Sequence, residues 1–181
     1  MTTTITRSYD TYASARSVVE RLEAAGVSHS AISIVGRDEK GTGETNAEEG
    51  AGIGAGVGGA AGLLAGLGML AIPGIGPVVA AGWLAATAAG AAAGAAVGGL
   101  VGSFIKEGVS EEDAHYYAET VRRGGSVVSV KAEDAHAAEV EAIMDGASPI
   151  NRDERLATYR QEGWSRFDET AEPHRPGLTA P

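Results

Sequence analysis

From residue 51 to residue 105 the chain carries no Asp, Glu, Lys or Arg, and the stretch is bracketed by Glu48-Glu49 and Lys106-Glu107. Pro73-Gly74-Ile75-Gly76-Pro77 divides it into two arms, because a Pro-Gly-x-Gly-Pro sequence breaks a helix and favours a turn. Ala51 to Ile72 gives 22 residues and Val78 to Ile105 gives 28. At about 1.5 Å per residue, either arm as a helix reaches roughly 30 Å, the thickness of a bilayer core. The expected arrangement is a helical hairpin that enters and leaves on the same side, with Pro73, Gly74, Gly76 and Pro77 forming its turn.

The glycines of the arms are ordered. Gly54, Gly58, Gly62 and Gly66 recur every four residues in the first arm, and Gly90, Gly94, Gly98 and Gly102 do so in the second. Residues four apart share one helical face, and a face of glycines lets two backbones approach closely. Each interior glycine also costs a helix about 1 kcal/mol relative to alanine. Such arms therefore need a bilayer or tight packing in protein to persist. Two settings follow. In the favoured one the hairpin associates with a membrane. In the other it is the buried core of a soluble homo-oligomer, which suits Ala85 to Ala96, where only Ala, Gly and Thr87 occur. No cluster of Lys or Arg anchors either end of the hairpin.

The flanking blocks are ordinary α/β sequence. Residues 1–50 read as strand, helix, strand and an acidic loop. Thr4-Ile5-Thr6 opens a β-prone run, and Asp10 is placed to cap a helix bearing Ala15, Val18, Val19 and Leu22. Ala31 to Val35 alternates as a strand. Residues 106–151 repeat the logic. Ser110 with Asp113 opens a helix that ends at Gly124-Gly125, and Ser126 to Val130 is the best strand in the chain. Asp134 to Met144 is a second helix, and Ser148-Pro149-Ile150 a weak fourth strand. The expected fold is α+β, a ferredoxin-like βαβ–βαβ sandwich interrupted at its central connection by the Gly/Ala-rich helical hairpin of residues 51–105; a fully parallel sheet is the alternative. Residues 152–181 form a charged tail, with a short helix from Arg152 to Glu162 and disorder beyond it. Trp164 and Phe167 are out of place in such a tail and are read as packing on the sheet or helices.

Charge and composition exclude several functions. A formal net charge of -10 repels phosphate backbones, so nucleic-acid binding is not expected. It repels anionic headgroups too, so any membrane contact must be apolar. No cysteine is present, which removes disulfides and thiolate sites. Met1 to Asp10 lacks a basic stretch followed by an apolar run, so no signal peptide is expected and the location is read as cytoplasmic. Gly54-x-Gly56-x-x-Gly59 matches a dinucleotide fingerprint only formally, since no acid follows about 20 residues on. Glu112, His115 and Glu119 share a helical face, but a di-iron site needs a second such helix. No catalytic residue, cofactor, metal ligand or small-molecule substrate is expected.

Strand–helix–strand, then Ile72-Pro73-Gly74-Ile75-Gly76-Pro77, then Gly108-Val109-Ser110-Glu111-Glu112-Asp113-Ala114, Tyr116-Tyr117-Ala118-Glu119 and Arg122-Arg123-Gly124-Gly125-Ser126 to Val130 follow in order. This order resembles the YflT-like bacterial general stress proteins, which include heat-induced and low-temperature-induced members. The resemblance spans roughly residues 3–150 and implies a stress-linked, non-catalytic role.

Overall fold

The computed structural model describes residues 1–37, 68–72, 74–86 and 99–171. The threonine-rich run forms strand β1 (Thr2–Tyr9), followed by helix α1 (Tyr12–Ala24) and, after a 3-10 turn at His29–Ala31, strand β2 (Ile32–Gly36). Strands β3 (Gly68–Ile72) and β4 (Gly76–Ala81) form a hairpin. Helices α2 (Gly99–Lys106) and α3 (Glu111–Arg122), strand β5 (Ser126–Glu133), and helices α4 (Ala137–Asp145) and α5 (Arg152–Gln161) complete the order.

The five strands make one sheet in the order β1-β5-β2-β4-β3, and every pairing is antiparallel. A parallel sheet is thereby excluded. β1, α1 and β2 form a split βαβ unit, with β5 inserted between its two strands and antiparallel to both. A ferredoxin-like sandwich places the first strand of each half at the centre. Here β1 is an edge, so that finer expectation fails and the mixed α/β architecture with an antiparallel sheet stands. The reason lies in the last strand: Val127, Val128 and Val130 are all wholly buried, and only a central position covers both faces.

Alternate residues of the strands feed two cores. On one face, Ile5, Ile34, Val128 and Val130 meet Val18, Val19 and Leu22 of α1 and Val140 and Met144 of α4. On the other, Val35, Val78, Ala80 and Val127 meet Leu100 and Phe104 of α2, Tyr116, Tyr117 and Val121 of α3, and Leu156 and Tyr159 of α5.

Local signals explain the helix ends, with one correction. Thr11, not Asp10, caps α1 by accepting the Ser14 amide at 3.1 Å, while Asp10 accepts from Arg155 at 2.7 Å. Ser110 caps α3 as its sequence implied, and Asn151 caps α5. Helix α5 stops at Gly163, whose φ of +87° lets the Trp164 amide reach back to the Tyr159 carbonyl at 3.0 Å. The same six-residue closure ends α1, α2 and α3. Residues 148–150 form no strand, although the Ile150 amide bonds the Ser8 carbonyl at 2.8 Å.

Two expectations are corrected further. Residues 68–72 and 78–81, read as parts of two helical arms, are strand residues inside the sheet, the second strand beginning already at Gly76 in the expected turn. Ile75, Val78 and Ala80 are buried in the α2–α3 core, so the turn between these strands is the inside of a domain and not the far tip of a membrane hairpin. The tail is also ordered farther than expected. Phe167 is 3% exposed within the same core, and Trp164 packs beside it.

Candidate functional site

The turn residues singled out from sequence do make a turn, between strands rather than helices. Gly74 and Gly76 have φ of +75° and +91°, and the Ile75 amide closes on the Ile72 carbonyl at 3.0 Å. Pro77 opens the exposed start of β4, where its missing N–H is tolerated at a strand beginning. Pro73 lies outside the described residues, as do Gly54, Gly58, Gly62, Gly66, Gly90, Gly94 and Gly98. A side chain at Gly74 would stand 2.7 Å from the Asp168 carbonyl oxygen and 2.9 Å from Glu169 Cα. The segment after α5 therefore lies directly on this turn. It also presses the Glu169 carboxylate against Gly99, where a Cβ would fall 2.7 Å from Oε1, at the first residue of α2. Residues 164–171 thus form a strap across the β3–β4 turn and the start of α2, fastened by Phe167. The unexpected aromatics were the sequence signal for it.

Gly102 is the one row glycine inside a described helix. Leu100, Val101 and Phe104 turn one side of α2 to the sheet. Gly102 lies on the opposite side, next to Ile105, which is 44% exposed.

The acidic face of α3 does not converge on a metal. Glu112 accepts from Arg160 at 2.5 Å, on α5. Glu119 is 1% exposed and turns inward, where Arg122 bonds both its oxygens at 2.6 and 2.8 Å and Arg123 bonds Oε1 at 2.5 Å. Arg123 in turn pairs with Glu162 and stacks 4.2 Å above the Tyr159 ring. The buried carboxylate is thus satisfied at the end of its own helix, and Arg123 carries the contact on to α5; the sequence showed only one more acid on a charged helix. His115 stands between them with Nε2 3.8 Å from Glu111 and Nδ1 buried without a hydrogen-bond partner. Desolvation, and then the positive charge of Arg166, holds its pKa below the usual histidine value, against the opposing pull of Glu111 and Glu169. Among the described residues no group of three or more His, Asp or Glu is placed to hold a metal ion.

Between the sheet and α3 runs a layer of hydroxyls. Thr6 and Ser129 share a 2.5 Å hydrogen bond, Ser8 bonds Tyr116 at 3.1 Å, and Tyr117 donates to the Thr6 carbonyl at 3.0 Å. Burial pushes the Tyr117 hydroxyl far above its ordinary pKa, so it stays a donor. Ser33 donates to the Ala81 carbonyl at 2.8 Å and accepts the Leu84 amide at 3.1 Å. These hydroxyls serve one another and the backbone. None is paired with an imidazole or carboxylate that could activate it. A cavity of about 530 Å³ lies at the end of α1 and is lined by Ser28, Ser30, Lys131, Glu133, His136 and Glu139 among others. Lys131 is already paired with Glu107 at 2.6 Å.

Residues 4–71 match the family model described as "Heat induced stress protein YflT domain". The match bears out the resemblance read from the sequence and takes in β1 from Thr4 onward, α1, β2 and all but the last residue of β3. The YflT match ends before the Pro-Gly turn and the Gly108–Val130 segment. No curated protein and no solved structure matches the chain.

Proposed function

We propose that this is a non-catalytic general stress-response protein that acts by self-association through its charge-free, glycine-rowed segments. The YflT match supplies the link to stress. The observation that carries the rest is the placement of Gly102 on the outward side of α2, beside exposed Ile105. The row Gly90, Gly94, Gly98 and Gly102 continues along that side if the helix extends backwards, which would direct a close-packing groove away from the sheet. The ionisable groups support a non-catalytic reading, since arginines on α5 and at the end of α3 are spent joining elements: Arg155 to Asp10, Arg160 to Glu112, Arg152 to Asp113, Arg123 to Glu162.

A membrane setting is the less favoured partner for the same segments. With residues 68–72, 74–86 and 99–105 placed in the domain, where Leu84, Leu100 and Phe104 are buried in its core, the charge-free stretches left are 51–67 and 87–98. Even wholly helical, these would reach only about 25 Å and about 18 Å, short of a bilayer core of about 30 Å. Among the described residues no helix is long and apolar enough to cross a membrane.

The test is the mass of the full chain without detergent, by sedimentation velocity, for wild type, Gly58→Ile and Gly94→Leu, with Ala60→Ile and Ala92→Leu as off-row controls. The on-row variants should fall to smaller species while the controls assemble as wild type. A monomeric wild type that floats with neutral vesicles and resists alkaline carbonate would overturn the proposal in favour of the bilayer.

A further inference from the structure

We propose a second interface, separate from the glycine rows: the free edge of β1 pairs antiparallel with β1 of a second copy, joining two five-stranded sheets. The register determines which groups are available. Odd residues of β1 point towards β5, as shown beyond the strand end by the Asp134 amide bonding the Met1 carbonyl at 3.2 Å. Even residues therefore turn their N–H and C=O outward. The Ile150 amide meets the Ser8 carbonyl on that outer side, and the Tyr117 hydroxyl meets the Thr6 carbonyl there. Beyond these, the amides and carbonyls of Thr2 and Thr4 and the amide of Thr6 have no partner among the described residues.

The edge is thus closed at one end and open at the other. Natural edges of this length are blunted by proline, lysine or a bulge. Thr2 to Thr6 has none of these, and its register with β5 runs unbroken from Thr2 to Tyr9. Arg7, the first charge, is drawn aside by Asp145 at 2.7 Å.

A second copy fits this edge because the sequence Thr-Thr-Thr-Ile-Thr is complementary to itself. With a two-fold axis at Thr4, each Thr4 exchanges both backbone bonds with its mate, and Thr2 faces Thr6. Thr3 falls opposite Ile5, so every facing pair is β-branched, the favourable class of cross-strand neighbours. The Thr6 carbonyl already accepts from Tyr117 at 3.0 Å and from Arg7 Nη1 at 3.1 Å, so the incoming Thr2 amide takes the place of the Arg7 donor, which keeps its ion pair with Asp145. No side chain within the paired stretch is charged, which matters for a chain of net charge -10 that repels its own copies elsewhere.

The experiment is amide hydrogen exchange on the full wild-type chain over a wide concentration range, resolved at Thr2, Thr4 and Thr6. The Thr4 amide should exchange at least about ten-fold more slowly at the top of the range than at the bottom, as a pairing equilibrium requires. Thr4→Pro removes the outward donor at the axis without touching the β5 ladder, and should abolish the concentration dependence at Thr2 and Thr6. The dependence should persist in Gly58→Ile and Gly94→Leu, which separates this interface from the glycine rows. A Thr4 amide that exchanges at one fast rate at every concentration overturns the proposal. Protection that ignores chain concentration and appears only when an unfolded foreign protein is added also overturns it, assigning the edge to an extended client.

Discussion

Phe167→Ala should unfasten the strap while leaving the sheet intact. The ring is 3% exposed and sits in the core built by Phe104, Tyr117 and Leu156. Truncating a buried phenylalanine costs about 3–5 kcal/mol. The lower figure applies here, because the strap retains Trp164, whose ring meets Tyr159 edge-on at 5.9 Å and whose amide is bonded to the Tyr159 carbonyl. A loss of about 3 kcal/mol raises the population of the open strap roughly a hundredfold, at about 1.4 kcal/mol per tenfold. Arg166 lies inside the strap and supplies the readout, because a protease can cleave there only when the segment opens. Limited trypsin digestion followed by mass spectrometry should therefore show cleavage after Arg166 about a hundredfold faster in the variant, with far-ultraviolet circular dichroism unchanged. If both chains are cut at Arg166 at the same rapid rate, the strap is not held by Phe167 and its docking on Gly74 and Gly99 is wrong.

Gly36→Ala should destabilise by about 1–3 kcal/mol through overpacking, since its Cβ would fall 2.6 Å from Ser126 Cβ on the facing strand. Urea denaturation of Gly36→Ala with and without Ser126→Gly checks this, and the second change should recover part of the loss. His115 predicts a pH dependence. Its folded pKa lies below that of the unfolded chain, so the unfolded state takes up the proton first. Stability should fall as pH drops through about 6.5 towards the folded value and level off below it. His115→Gln should flatten that part of the curve.

Much of the fold was legible as local pattern. Helices α1, α3, α4 and α5 and strands β2 and β5 follow from periodicity, caps and stop signals that act within a few residues. The same holds for the turn at Gly74 to Pro77, because glycine and proline constrain their own backbone wherever they stand. The resemblance to the YflT domain was legible too, and the family model matches it over residues 4–71.

What the sequence left open are choices among distant partners. Gly68–Ile72 and Gly76–Ala81 are small, apolar and uncharged, and such a run suits a helix or a strand equally. Only the vacant edge of β2, offering its outward amides and carbonyls to β4, made them strands. The strand order was likewise undetermined, since nothing local says that the last strand inserts between the first two. Arg123 reads as one more base at a helix end until α3 is laid beside α5, where it reaches Glu162 and the Tyr159 ring. Phe167 reads as packing on the sheet or helices, but where it docks was open until Gly74, lacking a side chain, left room for the strap to lie across the turn. Local rules fixed which residues could bend, cap and alternate. Burial, which is shared among segments far apart in sequence, decided which of those segments met.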